Sequence, residues 1–120
     1  MTYYHILHQK IKKLKKQHLI HLRKELNRIK EGLIKLGALK IIIFGSAVRN
    51  ELGLTSDIDL IVIIETNKNF IERAEEIYKN LAPIDIDLLI YTPNEFDRMN
   101  KENLFLQHVL KEGKVIYEQK

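Results

Sequence analysis

Residues 41–64 read IIIFGSAVRNELGLTSDIDLIVII, and the architecture follows from how this stretch is partitioned. Residues 41–44 and 58–64 are apolar and strand-sized. They bracket a polar segment that opens on Gly45-Ser46 and closes on Asp57-Ile58-Asp59. The second run is apolar on both faces except at its start, as in strands buried on both sides of an α/β sheet. Residues two apart on a strand share a face, so Asp57 and Asp59 leave the sheet together. Clustered like charges beside a core repel one another, and a divalent cation removes that repulsion. Mg²⁺ takes hard oxygen ligands, commonly a few carboxylates together with phosphate oxygens. Glycine after a strand lets backbone approach a ligand, and N–H groups at a following helix start attract phosphate. Ser46 can donate a hydroxyl, and Arg49 lies one turn further on, within reach of another phosphate oxygen.

Outward from this stretch the pattern alternates. Residues 2–36 hold no Pro and one Gly, and Leu7, Ile11, Leu14, Leu22, Leu26, Ile29, Leu33 and Leu36 fall in steps of mostly three and four, with His18 in the gap. This predicts one amphipathic helix, about 50 Å long, with Gly37 at its C-cap. A strand over 40–44, a short helix over 47–51 and a loop through Gly53 and Thr55 precede the strand over 58–64. A helix over 67–80 follows, broken at Ala82-Pro83. The next strand is expected over 84–91, with Ile84, Ile86, Leu88 and Ile90 facing the core and Asp85 and Asp87 on the other face. Thr92-Pro93-Asn94-Glu95 has the form of a capping box with Pro at the first helical position, so a helix is expected from there to Glu112, capped by Gly113. A short strand over 115–117 ends the pattern. Alternating helices and strands indicate one α/β domain, with residues 1–36 as a long basic helix and 37–120 as its compact remainder.

Composition narrows the classes. The 120 residues are 45% hydrophobic and 30% charged, which excludes disordered and low-complexity chains. Cysteine is absent, which excludes disulfide scaffolds and thiol chemistry. No secretory leader or membrane-length apolar run is seen, so the cytoplasm is the expected compartment. The net charge of +4 hides a split. Residues 1–40 carry 11 Lys/Arg against 2 Asp/Glu, and residues 41–120 carry 9 against 14.

Gly45-Ser46, ten intervening residues and then Asp57-Ile58-Asp59 resemble the signature of the DNA polymerase beta-like nucleotidyltransferase superfamily. The string GSAVRNELGLTSDIDLIVI looks like the minimal nucleotidyltransferases that are paired with HEPN-domain proteins, often as the antitoxin of a toxin–antitoxin pair. The resemblance covers roughly residues 38–117. It implies a small mixed sheet with helices packed against it, and Mg²⁺-dependent transfer of a nucleoside monophosphate, AMP from ATP or the equivalent from another NTP, to an acceptor hydroxyl. Carried over by position, Gly45, Ser46, Arg49 and Ser56 would contact the nucleotide, and Asp57, Asp59 and Asp87 would be the catalytic carboxylates and ligands of two Mg²⁺ ions. Asp85 competes with Asp87 for the third place. Val48 and Asn50 stand where the family usually has Ala and Gly. The chain has no evident acceptor domain, so a HEPN partner or second subunit is expected to complete the site. The alternative is a catalytically silent, nucleotide-binding antitoxin that acts by occlusion.

The basic helix admits three readings: a solvated face, an interface with a partner or second copy, or phosphate contacts with nucleic acid. No aromatic interleaving supports the last. His5/His8 and His18/His21 are i,i+3 pairs that can share a face. No carboxylate or further His is obvious nearby, so surface or partly packed histidines are expected rather than zinc ligands. Tyr3, Tyr4 and His108 are read as surface, interface or packing residues.

Overall fold

The computed structural model describes residues 2–45 and 58–120. Helix α1 spans Tyr3–Lys35, with the Thr2 side chain accepting from the His5 N–H as N-cap. Strand β1 is Ala38–Phe44 and β2 is Ile58–Ile64. Helix α2 is Phe70–Leu81, strand β3 is Ile86–Tyr91, helices α3 and α4 are Pro93–Glu102 and Leu104–Glu112, and strand β4 is Lys114–Glu118. The short helix expected over 47–51 and the loop through Gly53 and Thr55 lie outside the described residues. Among those residues, no helix is long and apolar enough to cross a membrane.

The sheet order is β3-β2-β1-β4. β1 runs antiparallel to both β2 and β4, and β2 runs parallel to β3. The sheet is therefore mixed, as expected, and α2 is the crossover that a parallel pair requires. Alternation along the strands fills two apolar layers. On one face Ile41, Ile58, Leu60, Val62, Ile86, Leu88 and Ile90 pack with Leu22, Ile29 and Leu33 of α1 and Ile77 of α2. On the other, Ile42, Ile61 and Ile63 pack with Leu106 and Val109 of α4, joined by Phe96 and Met99 of α3. Burying one such aliphatic side chain contributes about 1.5–3 kcal/mol. The apolar run 58–64 is needed because both of its faces are covered.

Four details correct the expected pattern. β3 begins at Ile86, not Ile84, and Ile84 is exposed. Helix α2 begins at Phe70 rather than Asn67, because the Asn69 side chain caps the Glu72 N–H. The single helix expected after Thr92 is two helices. Asn103 leaves the helical region at φ −109°, ψ 110°, and its side chain accepts from Leu106 N–H as N-cap of α4. Asparagine favours this capping role over a helix interior. Glu25 is buried in the α1 stripe, where only apolar residues were expected, and Leu26 is half-buried against the same core. The capping box at Thr92 and Glu95 is present in both directions. Gly37 follows the α1 C-cap Leu36 at φ +102°, where its N–H reaches Ile34 O at 3.1 Å.

Candidate active site

Three strands bring the described part of the candidate site together. β2 places Asp59 opposite Phe44 of β1 on one side and opposite Asp87 of β3 on the other. Parallel neighbours stand about 4.8 Å apart, and residues in register share a face, so the two carboxylates are adjacent. Ile58 and Leu60 point into the α1/α2 layer, so Asp59 lies on the α3/α4 face, at the edge beyond Ile61. Asp59 is half-buried and Asp87 exposed, which leaves the pair reachable from solvent.

Gly45 directly follows β1, beside this pair. Its φ is +81°, a conformation that side chains rarely adopt. A Cβ built there would sit 2.9 Å from Asp59 Oδ2. The glycine therefore supplies both the turn and the space for the carboxylate. An open cleft of about 190 Å³ adjoins it, lined by Phe44, Gly45, Phe105, His108, Val109 and Glu112. His108 Nε2 lies 3.6 Å from Glu112 Oε1 in this wall. Ser46, Arg49, Ser56 and Asp57 lie outside the described residues. Among the described residues no three His, Asp or Glu side chains form a group that could hold a metal ion. Asp57, the third expected ligand, is not one of the described residues.

Asp85 does not join Asp87. It precedes the strand at φ +59°, and its carbonyl accepts from Ile58 N–H at 3.0 Å. Its carboxylate lies 3.5 Å from His21 Nε2 on α1, against the opposite layer. The same-face arrangement expected for Asp85 and Asp87 is therefore corrected. Alternation starts only where extended backbone starts, and Asp85 sits in the left-handed region that short polar residues tolerate. Tertiary contact also brings His21 a carboxylate that its sequence neighbours did not suggest. His18 packs 6.4 Å from the His21 ring, with its Nε2 buried and without a hydrogen-bond partner.

Two buried charges hold this framework, and neither was singled out from the sequence. Glu25 is 6% exposed. Arg28 donates to it through Nε at 2.7 Å and a terminal nitrogen at 2.9 Å, and Ile84 N–H donates at 2.6 Å. Arg28 also donates to Ala82 O at 3.3 Å. The pair thus clamps the α2–β3 loop, in which Ala82 and Asp85 both have positive φ, and so fixes where β3 and Asp87 begin. The Arg28 hydrogen bonds hold the Glu25 carboxyl below its usual range, against the opposing effect of burial. Arg73, 5% exposed, donates to Lys68 O and Ile90 O and pairs with Glu95. Glu95 is likewise held low, chiefly by Arg73. The available signal was a lone charge within an apolar stripe: Glu25 falls between Leu22 and Ile29, and Arg73 between Phe70 and Ile77. Tyr78 OH accepts from Leu88 N–H at 2.9 Å, occupying a donor on the edge strand β3.

A strand end carrying paired carboxylates beside a left-handed glycine is suited to phosphate and cation chemistry. The family model for Polymerase beta, Nucleotidyltransferase matches residues 9–120.

The chain belongs to the Polymerase beta, Nucleotidyltransferase family.

Solved structures agree on the nucleotidyltransferase fold. One is a candidate nucleotidyltransferase from Sulfolobus solfataricus, at 20% identity and TM-score 0.62 over 86% of each chain. Another is a toxin–antitoxin structure with AMP-PNP, at 23% identity and TM-score 0.52 over 78% of this chain and 73% of that one. Comparison with curated proteins gives no match.

Proposed function

We propose that this nucleotidyltransferase-family chain transfers a nucleoside monophosphate, AMP from ATP, to a hydroxyl on a partner protein, as the Mg²⁺-dependent antitoxin of a toxin–antitoxin pair in the cytoplasm. The observation that carries the reading is Asp59 in register with Asp87 beside Gly45. The donor set fits Mg²⁺: two neighbouring carboxylates offer hard oxygens, and the absence of a Cβ at residue 45 leaves Asp59 Oδ2 its room. Asp57, Asp59 and Asp87 would hold two ions, which when bound neutralise charge on the phosphate oxygens.

The chain's own residues then have separate tasks. Gly45 and Ser46 offer backbone and hydroxyl donors to the triphosphate, and Arg49 and Ser56 add contacts at its oxygens. Asp87 is the more exposed of the two described site carboxylates and is the acceptor-side group, positioned to orient the attacking hydroxyl and take its proton. That oxygen attacks the α-phosphorus, the bond to the β-phosphate oxygen breaks, and pyrophosphate leaves. Positioning and charge neutralisation supply the acceleration. A partner acceptor is supported by the exposure of Asp87 and by the toxin–antitoxin neighbour that carries AMP-PNP. The partner is proposed to be a HEPN-domain protein, on the motif resemblance.

The test is incubation with that partner, Mg²⁺ and α-labelled ATP. Label on the partner, lost with Asp87→Asn and retained with Asp85→Asn, is the expected result. Nucleotide binding without transfer would favour the silent, occluding antitoxin, and equal labelling by both variants would overturn the site.

A further inference from the structure

We infer that the front half of α1 is a docking arm for an acidic partner helix. An apolar seam on this helix runs on past the core. Leu22, Glu25, Ile29 and Leu33 are buried against the sheet. The same helical stripe, followed back in steps of three and four, passes through His18, Leu14, Ile11, Leu7 and Tyr4. There the sheet has ended. Leu14 is 52% exposed, Leu7 44% and Tyr4 76%. The 33-residue helix accounts for the 61 Å long axis of a molecule otherwise about 30 Å across. An apolar stripe continued in register beyond its own core calls for a cover from outside the chain.

Charge selects the occupant. Lys10 and Lys15 border the seam, Lys12, Lys13 and Lys16 lie farther round, and no acidic residue precedes Glu25. In a helix pair the residues flanking the seam face each other across it. A second copy of this chain would oppose lysine to lysine in either orientation, which is destabilising. A partner helix with aliphatic seam residues and Glu or Asp flanks meets apolar surface with apolar surface and opposite charge with opposite charge. From Tyr4 to Leu14 the uncovered seam is about 15 Å long, under three turns. That is too short to induce a free chain to fold, so the partner brings its helix already formed. Nucleic acid would use the lysines but leave Tyr4, Leu7 and Leu14 uncovered.

The inference is independent of the transfer reaction, and its test reads binding without nucleotide. The probe is a fluorescent, side-chain-stapled helical peptide with Leu at every seam position and Glu at every flanking position, titrated with the full chain. Its control carries Lys at the flanks. The Glu peptide is expected to bind roughly tenfold or more tightly than the Lys peptide, with the preference shrinking as salt rises. Leu7→Glu with Leu14→Glu should abolish binding and leave the melting point of the core unchanged, since both side chains lie outside it. Equal binding of the two peptides, or none, overturns the inference. So does a dimer in sedimentation equilibrium that the double variant dissociates, which would assign the seam to a second copy. Labelled single-stranded RNA that binds more tightly than the Glu peptide, and that the double variant still binds, would assign the arm to nucleic acid.

Discussion

Replacing Gly45 with alanine puts a methyl group 2.9 Å from Asp59 Oδ2. Ordinary contact begins at roughly 3.5 Å, so the carboxylate must retreat by about half an ångström or the strand end must open. The φ of +81° adds strain of about 1–2 kcal/mol for a residue with a Cβ. Gly37 supplies the control. It too has positive φ, +102°, but a Cβ there meets nothing within 4 Å. Gly37→Ala and Gly45→Ala should therefore both lower stability by about 1–2 kcal/mol, a fall in midpoint of about 4–10 °C for a domain of this size. Only Gly45→Ala should also lose the midpoint rise produced by ATP with Mg²⁺, because ligand binding to the native state is what raises it. Transfer by Gly45→Ala should fall by roughly 10²-fold, the scale of an ångström-level misplacement. The assay is thermal melting of wild type and both variants, with ATP and Mg²⁺ together and separately. Equal nucleotide-dependent shifts in all three proteins would refute the claim that Gly45 makes room for a ligand-binding Asp59.

Asp87→Asn should abolish the shift with ATP and Mg²⁺ and reduce transfer by roughly 10²-fold or more, whereas Asp85→Asn, which keeps a residue tolerant of left-handed backbone, should retain both; labelled-ATP assays on the two variants separate them. Glu25 and Glu95 have folded-state pKa values below their ordinary value of 4.5, so their stabilisation is fully present above that pH and is lost as pH falls through the folded values. Glu25→Gln should be less stable by about 1–2 kcal/mol at neutral pH, with the gap to wild type closing below about pH 4.5, as read by urea unfolding at several pH values. Tyr78→Phe leaves the Leu88 N–H without its acceptor and should cost about 1 kcal/mol with no change in the nucleotide-dependent shift. A Tyr78→Phe protein as stable as wild type would show that water replaces the hydroxyl at that edge.

The parts legible in the sequence are those where one local pattern has one physical solution. Residues 58–64 could only be a strand covered on both faces, and two apolar layers meet there. The long helix, its glycine terminus and the capping box at Thr92 follow from periodicity and from donors that must be satisfied. The pairing of Gly45-Ser46 with Asp57-Ile58-Asp59 was legible as a candidate phosphate and cation site by residue chemistry alone. The break at Asn103 was not, because apolar spacing runs on through it while the side chain caps a new helix.

What only the tertiary structure decided is which carboxylate stands beside Asp59. Asp85 and Asp87 are equivalent to a rule of alternation. They become different because the clamp of Glu25 and Arg28 holds the loop before β3 in left-handed backbone, turning Asp85 towards His21 and starting the register at Ile86. Strand register is set by contacts between residues 59 positions apart, here Glu25 and Ile84, and no local pattern carries that information. The same holds for the helix. The sequence by itself showed a stripe, but only packing shows where the sheet stops covering it and leaves Tyr4, Leu7 and Leu14 to a neighbour.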